Sequence, residues 1–291
     1  MSWVVWRQHR TQAGVMAAVL ALLVSVFVRS GDRLANAPSP FANEALARNI
    51  GNLSVGIPLL LGIFFGATLF ARETEQSTHV LAWTQSVTRR RWLASKLGSV
   101  FLATLAWSTV LTIAITWWAH RAYDGSYEGI RFDTQDLMPV AYSMFAVALG
   151  FAAGAVLRRL LPAIAVTVGG FFAIRLGIEL YVRERLLRTT VLVGGPELLG
   201  RRPGGWVKSI DIIGPDGHVM RGDIATPVRC AQQATRAASD ACLSGAGFRA
   251  RIVYHPASQY WPLQWIEAGI FVAITAALIG VGVWFVLRRD A

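Results

Sequence analysis

A chain of 291 residues that is 54% hydrophobic and only 15% charged, with a mean hydropathy of +0.45, is too apolar for an ordinary soluble domain, which carries about 25% charged residues. Its formal net charge of +11 would suit a nucleic-acid binder, but the arginines flank long apolar runs instead of forming a patch of their own. The composition therefore excludes nucleic acid as a partner and points to anionic membrane lipid.

A spanning helix needs roughly 20 mostly apolar residues. Six stretches qualify: 13–28, 53–71, 97–118, 137–157, 161–182 and 262–287. The fold expected is an all-α polytopic membrane protein with six transmembrane helices. Residues 1–12 precede the first span as a polar, amphipathic stretch with Arg7 and Arg10. Ala35-Asn36-Ala37 resembles a signal-peptidase site, but it lies well past the first apolar run. Cleavage there would leave five spans and place Arg288 and Arg289 outside, so a retained first span is expected.

Pro139, Pro162 and Pro262 sit at the starts of spans, where a missing N–H costs nothing, whereas Pro58 lies inside the second span and is expected to bend it. Gly62-x-x-x-Gly66 and Gly150-x-x-x-Gly154 are small-residue pairs that let helices approach closely. They are read as packing, with dimer contact as the alternative. Between the second and third spans lies a charged segment, 72–96, acidic early (Glu73, Glu75) and basic late (Arg89, Arg90, Arg91), as a helix dipole favours. Val80, Leu81, Trp83 and Trp92 give it an apolar contact set.

Counting Lys and Arg in the short loops places both termini and the 72–96 segment in the cytoplasm. Arg183, Arg185 and Arg188 follow the fifth span on the outer side, but they open a long loop, and long loops translocate largely regardless of charge. In the fifth span, Arg175 and Glu179 are one helical turn apart. They are either a polar spot on a substrate path or a self-neutralising i, i+4 pair. Glu267, with Trp261 and Trp265, reads as an interfacial anchor at the start of the last span.

Residues 183–261 form a small α+β extracytoplasmic domain between helices 5 and 6. Residues 206–213 and 218–224 alternate like strands around Gly214-Pro215-Asp216-Gly217, and 248–254 could add a third strand. The only two cysteines, Cys230 and Cys242, both lie here, in a compartment that permits a disulfide. A straight helix would hold them about 18 Å apart, so the chain is expected to turn back near Ser239–Asp240.

Catalytic chemistry finds no purchase. The chain has two lysines, Lys96 and Lys208, and neither sits in a P-loop, so no ATP is hydrolysed by that route. The histidines form no zinc pattern, and no nucleophile elbow is present. No catalytic or metal site and no cofactor of its own is expected.

The run Ala71-Arg72-Glu73, Thr78, Leu81-Ala82-Trp83-Thr84-Gln85-Ser86-Val87-Thr88-Arg89, Arg91-Trp92-Leu93-Ala94 and Lys96-Leu97 resembles actinobacterial ABC transporter permeases of the ABC-2 type. Trp6-Arg7-Gln8-His9-Arg10 is similar to that family's N-terminal signature, and Tyr254-His255-Pro256-Ala257-Ser258 with 261–267 to the lead into its last span. The family often has Glu-x-Gly-Thr where this chain has Gln76-Ser77-Thr78.

The resemblance implies the six-helix ABC-2 exporter fold in a bacterial cell membrane. It implies a dimer with a second permease copy or paralogue, and a separate nucleotide-binding subunit that binds ATP and Mg. It implies that Trp6, Arg7, His9 and Arg10 belong to a connecting helix. Glu73, Glu75, Thr78, Leu81, Trp83, Thr84, Gln85, Ser86, Thr88, Arg89, Arg91 and Trp92 would belong to a coupling segment that docks on the ATPase. The second and fifth spans would face the dimer axis, making Phe64, Phe65, Phe171, Phe172, Arg175 and Glu179 candidates for the substrate path. Their aromatic character suits amphiphilic, drug-, lipid- or peptide-like cargo. Two other classes remain: a sensor or scaffold with 183–261 as receiver, and an intramembrane enzyme.

Overall fold

The computed structural model describes residues 2–36, 44–69, 88–122, 129–200, 204–220, 230, 232–233 and 235–289. Among the described residues, the chain divides into a helical unit, comprising those up to Arg183 and from Gln264 onward, and a smaller unit, Glu184–Leu263.

The helical unit is built from α1 (Ser2–Ala35), α2 (Glu44–Leu61), α3 (Arg89–Ala122), the short α4 (Ile130–Thr134), α5 (Met138–Leu157), α6 (Leu160–Gly177) and α8 (Tyr260–Arg289), the last reached from the smaller unit. Two helices loosen into π turns: α2 continues as Gly62–Ala67, and α6 as Ile178–Arg183 before a final turn, Glu184–Leu186. Among the described residues, five helices are long and apolar enough to cross a membrane: Asn49–Ala67, Arg90–Arg121, Met138–Leu157, Leu160–Leu186 and Ala257–Arg288. The apolar run expected as the first span lies within α1, continuous with the stretch that precedes it. α3 begins at Arg89, eight residues before the apolar run from Leu97. The last eight residues of the 72–96 segment are thus the opening turns of the next helix. Nothing in 89–97 breaks a helix, and the Trp92 N–H bonds the Thr88 carbonyl to start it.

Helix α5 is the centre of the unit. In its most apolar stretch 78% of residues are buried, against 28% in α3 and α6 and 22% in α8, whose outer faces remain apolar and open as lipid-facing helices require. α2 reaches α5 through glycine. A Cβ on Gly62 would stand 2.7 Å from the Ala146 carbonyl oxygen, and one on Gly150 would strike the backbone of Gly62 and Ala67. Gly62, Gly66 and Gly150 therefore serve packing within the chain. Pro58 lies inside α2, and the π turn follows four residues later. α1 packs on α3 by Phe27, edge-on to Trp118 at 5.9 Å, over a core of Ile57, Leu61, Trp107, Leu111 and Ile115.

The smaller unit holds β1 (Thr190–Gly194), β2 (Gly205–Ile213), β3 (Val219–Met220), α7 (Arg236–Gly245) and β4 (Arg249–Pro256). The strands make an antiparallel sheet in the order β1-β4-β2-β3. The hairpin expected around 214–217 is present: Gly214 N–H bonds the His218 carbonyl, and Gly217 adopts φ +80°, which favours glycine. The third strand is β4. β1 was not anticipated, because Thr190–Gly194 is a short apolar run that carries no alternation.

Cys230 and Cys242 form the expected disulfide, with Cα atoms 5.5 Å apart. The turn is not near Ser239–Asp240, which lie inside α7. It lies before Thr235, whose side chain caps α7 by accepting the Ala238 N–H. A threonine N-cap starts a helix more readily than Ser-Asp breaks one.

Candidate functional site

Five ionisable side chains meet inside the helical unit. Asp133 comes from α4, Tyr142 from the first turns of α5, Arg175 from α6, Arg183 from its π turn, and Glu267 from the second turn of α8. All are buried. Arg175 Nη2 donates to Asp133 Oδ2 at 2.6 Å. Arg183 Nη2 donates to Asp133 Oδ1 at 2.5 Å and to Glu267 Oε1 at 2.8 Å, while its Nε donates to Glu267 Oε2 at 2.8 Å. The Tyr142 hydroxyl lies 3.0 Å from Asp133 Oδ1, 2.9 Å from Glu267 Oε1 and 3.1 Å from Arg183 Nη2. Two guanidinium groups face two carboxylates, so the cluster is neutral, and Arg183 grips Glu267 by the bidentate fork that arginine geometry permits.

Local structure sets this arrangement. On an α-helix at 3.6 residues per turn, Arg175 and Arg183 would point about 80° apart. The π turn spends extra residues per turn, removes that difference and aligns both arginines on Asp133. Asp133 is held by a pinned connection. Gln264, fully buried, accepts the Leu137 N–H at 3.2 Å and donates to the Phe132 carbonyl at 3.1 Å, and the Asp136 N–H bonds Thr116 Oγ1 at 3.1 Å. Gly129 takes φ +56° at the start of α4. Rings wall the charges in. The Arg183 guanidinium lies 4.5 Å from the Phe132 ring and Arg175 lies 5.1 Å from the Tyr142 ring, above Phe145, Phe171 and Phe271.

Three readings of the sequence change here. Glu267 is no interfacial anchor: at 1% exposure it is a counterion in the core, although Trp261 and Trp265 beside it stay exposed. Arg183 is no loop cation, because its charge is cancelled inside the protein. Arg175 finds its counterion in Asp133, forty-two residues away, and not in Glu179 one turn on. Asp133 and Tyr142 escaped attention because neither lies in a motif. The available signal was charge balance: Arg175 and Arg183 at the far end of one span require acids at matching depth, and Asp133 and Glu267 are placed to supply them.

The other predicted residues are dispersed. Phe64 is exposed, and Phe65 packs on the α1–α3 core. Phe171 is buried among rings, and Phe172 beside it is exposed. Glu179 is half-buried. A groove of about 830 Å³ lies elsewhere, between α3, α5 and α8, lined by Thr109, Thr112, Thr116, Met144, Trp265 and Val272 among others. In the coupling segment, Glu73, Glu75, Thr78, Leu81, Trp83, Thr84, Gln85 and Ser86 lie outside the described residues. Thr88 and Arg91 are exposed at the start of α3, which Arg89 opens. Trp92 is half-buried, packs against a core of Leu69, Leu93, Leu97, Phe151, Ala155 and Val286, and carries Lys96 Nζ 4.9 Å from its ring. Trp6, Arg7, His9 and Arg10 fall in α1, with side chains outside the description. Among the described residues no group of three His, Cys, Asp or Glu could hold a metal ion.

Two arginines, two carboxylates and a tyrosine hydroxyl are thus tied into one buried ion-pair network. What it can do is bind the ends of three helices, α5, α6 and α8, into one block. Comparison with protein families matches residues 29–183 to the model described as ABC-2 membrane transporter related. Comparison with curated proteins and with solved structures finds no match.

Proposed function

Because the chain belongs to the ABC-2 membrane transporter related family, we propose that it is the permease subunit of an ATP-driven exporter, with six spans and both termini in the cytoplasm. The single observation that carries this is the family match, which runs from the end of α1 through α6 and takes in the 72–96 segment. A separate nucleotide-binding subunit supplies ATP hydrolysis and binds ATP and Mg. It docks on the 72–96 segment through Trp83, Arg89 and their neighbours, and a second permease copy or paralogue completes the dimer. Arg90, exposed at the start of α3, and Arg288, exposed at the end of α8, favour the cytoplasmic side for that end.

The continuity of α3 from Arg89 to Ala122 gives docking a mechanical outlet. Displacement of the segment moves a 34-residue helix as a rod. The Asp133–Arg183–Glu267 cluster makes the opposite ends of α5, α6 and α8 move together, so a pull at one face becomes a rearrangement at the other. The groove between α3, α5 and α8, apolar but for a threonine wall and Asp136, supports an amphiphilic cargo.

Copurification tests the reading. Tagged protein extracted from its native membrane should retain a Walker-motif ATPase. Trp83→Ala combined with Arg89→Ala should lower that retention and export about tenfold or more, as loss of Trp and Arg anchors does at interfaces. Failure to retain any ATP-binding subunit, with export untouched by the double substitution, refutes it.

A further inference from the structure

The sheet of the smaller unit has two edges of different character. β3, at one edge, comprises two residues among those described. β1, at the other, is five residues long and pairs with β4 in an unbroken register from Thr190↔Tyr254 to Gly194↔Ala250. Its far side carries main-chain N–H and C=O groups with no strand against them among the described residues. Natural proteins blunt such an edge with lysine, proline, a bulge or brevity. β1 has no charge, no proline and no register shift.

Its side chains are also exposed apolar groups. Val191 is 48% exposed, Leu192 37% and Val193 49%. Successive side chains point to opposite faces of a strand, so both faces of this edge are apolar and exposed.

We infer that β1 pairs antiparallel with β1 of a second copy of this chain, about a two-fold axis through Leu192, to join two four-stranded sheets into one. The strand is self-complementary in that register. Val191 falls opposite the second copy's Val193, Thr190 opposite Gly194, and Leu192 opposite itself. Like charges facing each other would oppose pairing, and this register has none. The nearest flanking charges, Arg188 before the strand and Glu197 after it, are exposed and of opposite sign. Antiparallel pairing brings unlike ends together, whereas parallel pairing would set Arg188 beside Arg188.

Five residues of pairing bury far less than the roughly 1,200–2,000 Å² of a stable interface. The contact therefore rests on the dimeric permease proposed above, which supplies the remaining interface and raises the effective concentration of one β1 at the other.

Cysteine cross-linking tests it in the intact chain. The native cysteines bond each other, so Leu192→Cys adds the sole free thiol. Across an antiparallel pair the two Cα atoms lie about 4.5–5.5 Å apart, inside the span a disulfide tolerates. Mild oxidation of membranes should convert Leu192→Cys to a covalent dimer several-fold more than Ile210→Cys, an exposed position on β2. Thr190→Cys and Gly194→Cys, co-expressed under different tags, should cross-link to each other and neither to itself. Native mass spectrometry of the wild type reads the dimer separately. A dimer without cross-linking at 192, or with cross-linking no greater than at 210, overturns the edge pairing and leaves the permease dimer standing. A monomer overturns both.

Discussion

Replacing Arg183 with methionine isolates what the buried cluster contributes. The substitution keeps the apolar stem and removes a guanidinium that makes two contacts to Glu267, one to Asp133 and one to Tyr142. Asp133 would keep Arg175, but Glu267 would keep only the Tyr142 hydroxyl. One carboxylate is then buried without a cation, and breaking a buried pair in this way costs about 3–5 kcal/mol. Arg175→Met should cost less, about 2–3 kcal/mol. It touches one carboxylate, its Nε has no partner, and Asp133 would retain Arg183. Removing both members of the main pair, Arg183→Met with Glu267→Leu, restores neutrality. That double variant should lie within about 2 kcal/mol of wild type, well below the sum of the single changes, for a coupling energy of at least ~2 kcal/mol. The assay is reversible unfolding in mixed micelles followed by tryptophan fluorescence, with all four species in one lipid composition. If Arg183→Met falls within ~0.5 kcal/mol of wild type, or the double variant equals the sum, the cluster does not join α5, α6 and α8 and the argument fails.

Three further outcomes can be checked by similar means. Gly150→Leu should separate α2 from α5 and cost about 1–3 kcal/mol by overpacking, while Gly98→Ala, where a Cβ meets nothing within 4 Å, should be neutral or mildly stabilising in the same unfolding assay. Gln264→Leu should remove the acceptor of the Leu137 N–H and a donor to the Phe132 carbonyl, costing about 1–3 kcal/mol and speeding hydrogen exchange across 132–137. Cys230→Ser with Cys242→Ser should remove about 3 kcal/mol from the smaller unit on a chain-entropy view of a loop closed by cysteines 12 apart, read as faster limited proteolysis within 184–263.

Local patterns were legible in the chain because their causes are local. Runs of about twenty apolar residues must become helices in lipid, since no other segment satisfies its own backbone there. Gly214-Pro215-Asp216-Gly217 between alternating segments makes a hairpin, and two cysteines with no others present have only each other. The Leu81–Arg89 run, with Trp6–Arg10 and Tyr254–Ser258, was enough to suggest the family that the match over 29–183 establishes. Tertiary structure decided what depends on residues distant in sequence. Whether Glu267 sits at an interface or in a core cannot be read from its neighbours, because its partner, Arg183, is 84 residues away and is aimed by a π turn that no composition announces. The same holds for the glycines. Spacing allowed close approach, but only the folded helices made Gly62 and Gly66 the seat of Gly150. β1 became an open edge only once β4 had taken its other side. Sequence by itself determined which segments are long and apolar enough to cross a membrane and where the hairpin turns, for those are contests between chain and solvent. The tertiary structure decided which charges neutralise each other, since ion pairing depends on distance across the fold and not along the chain.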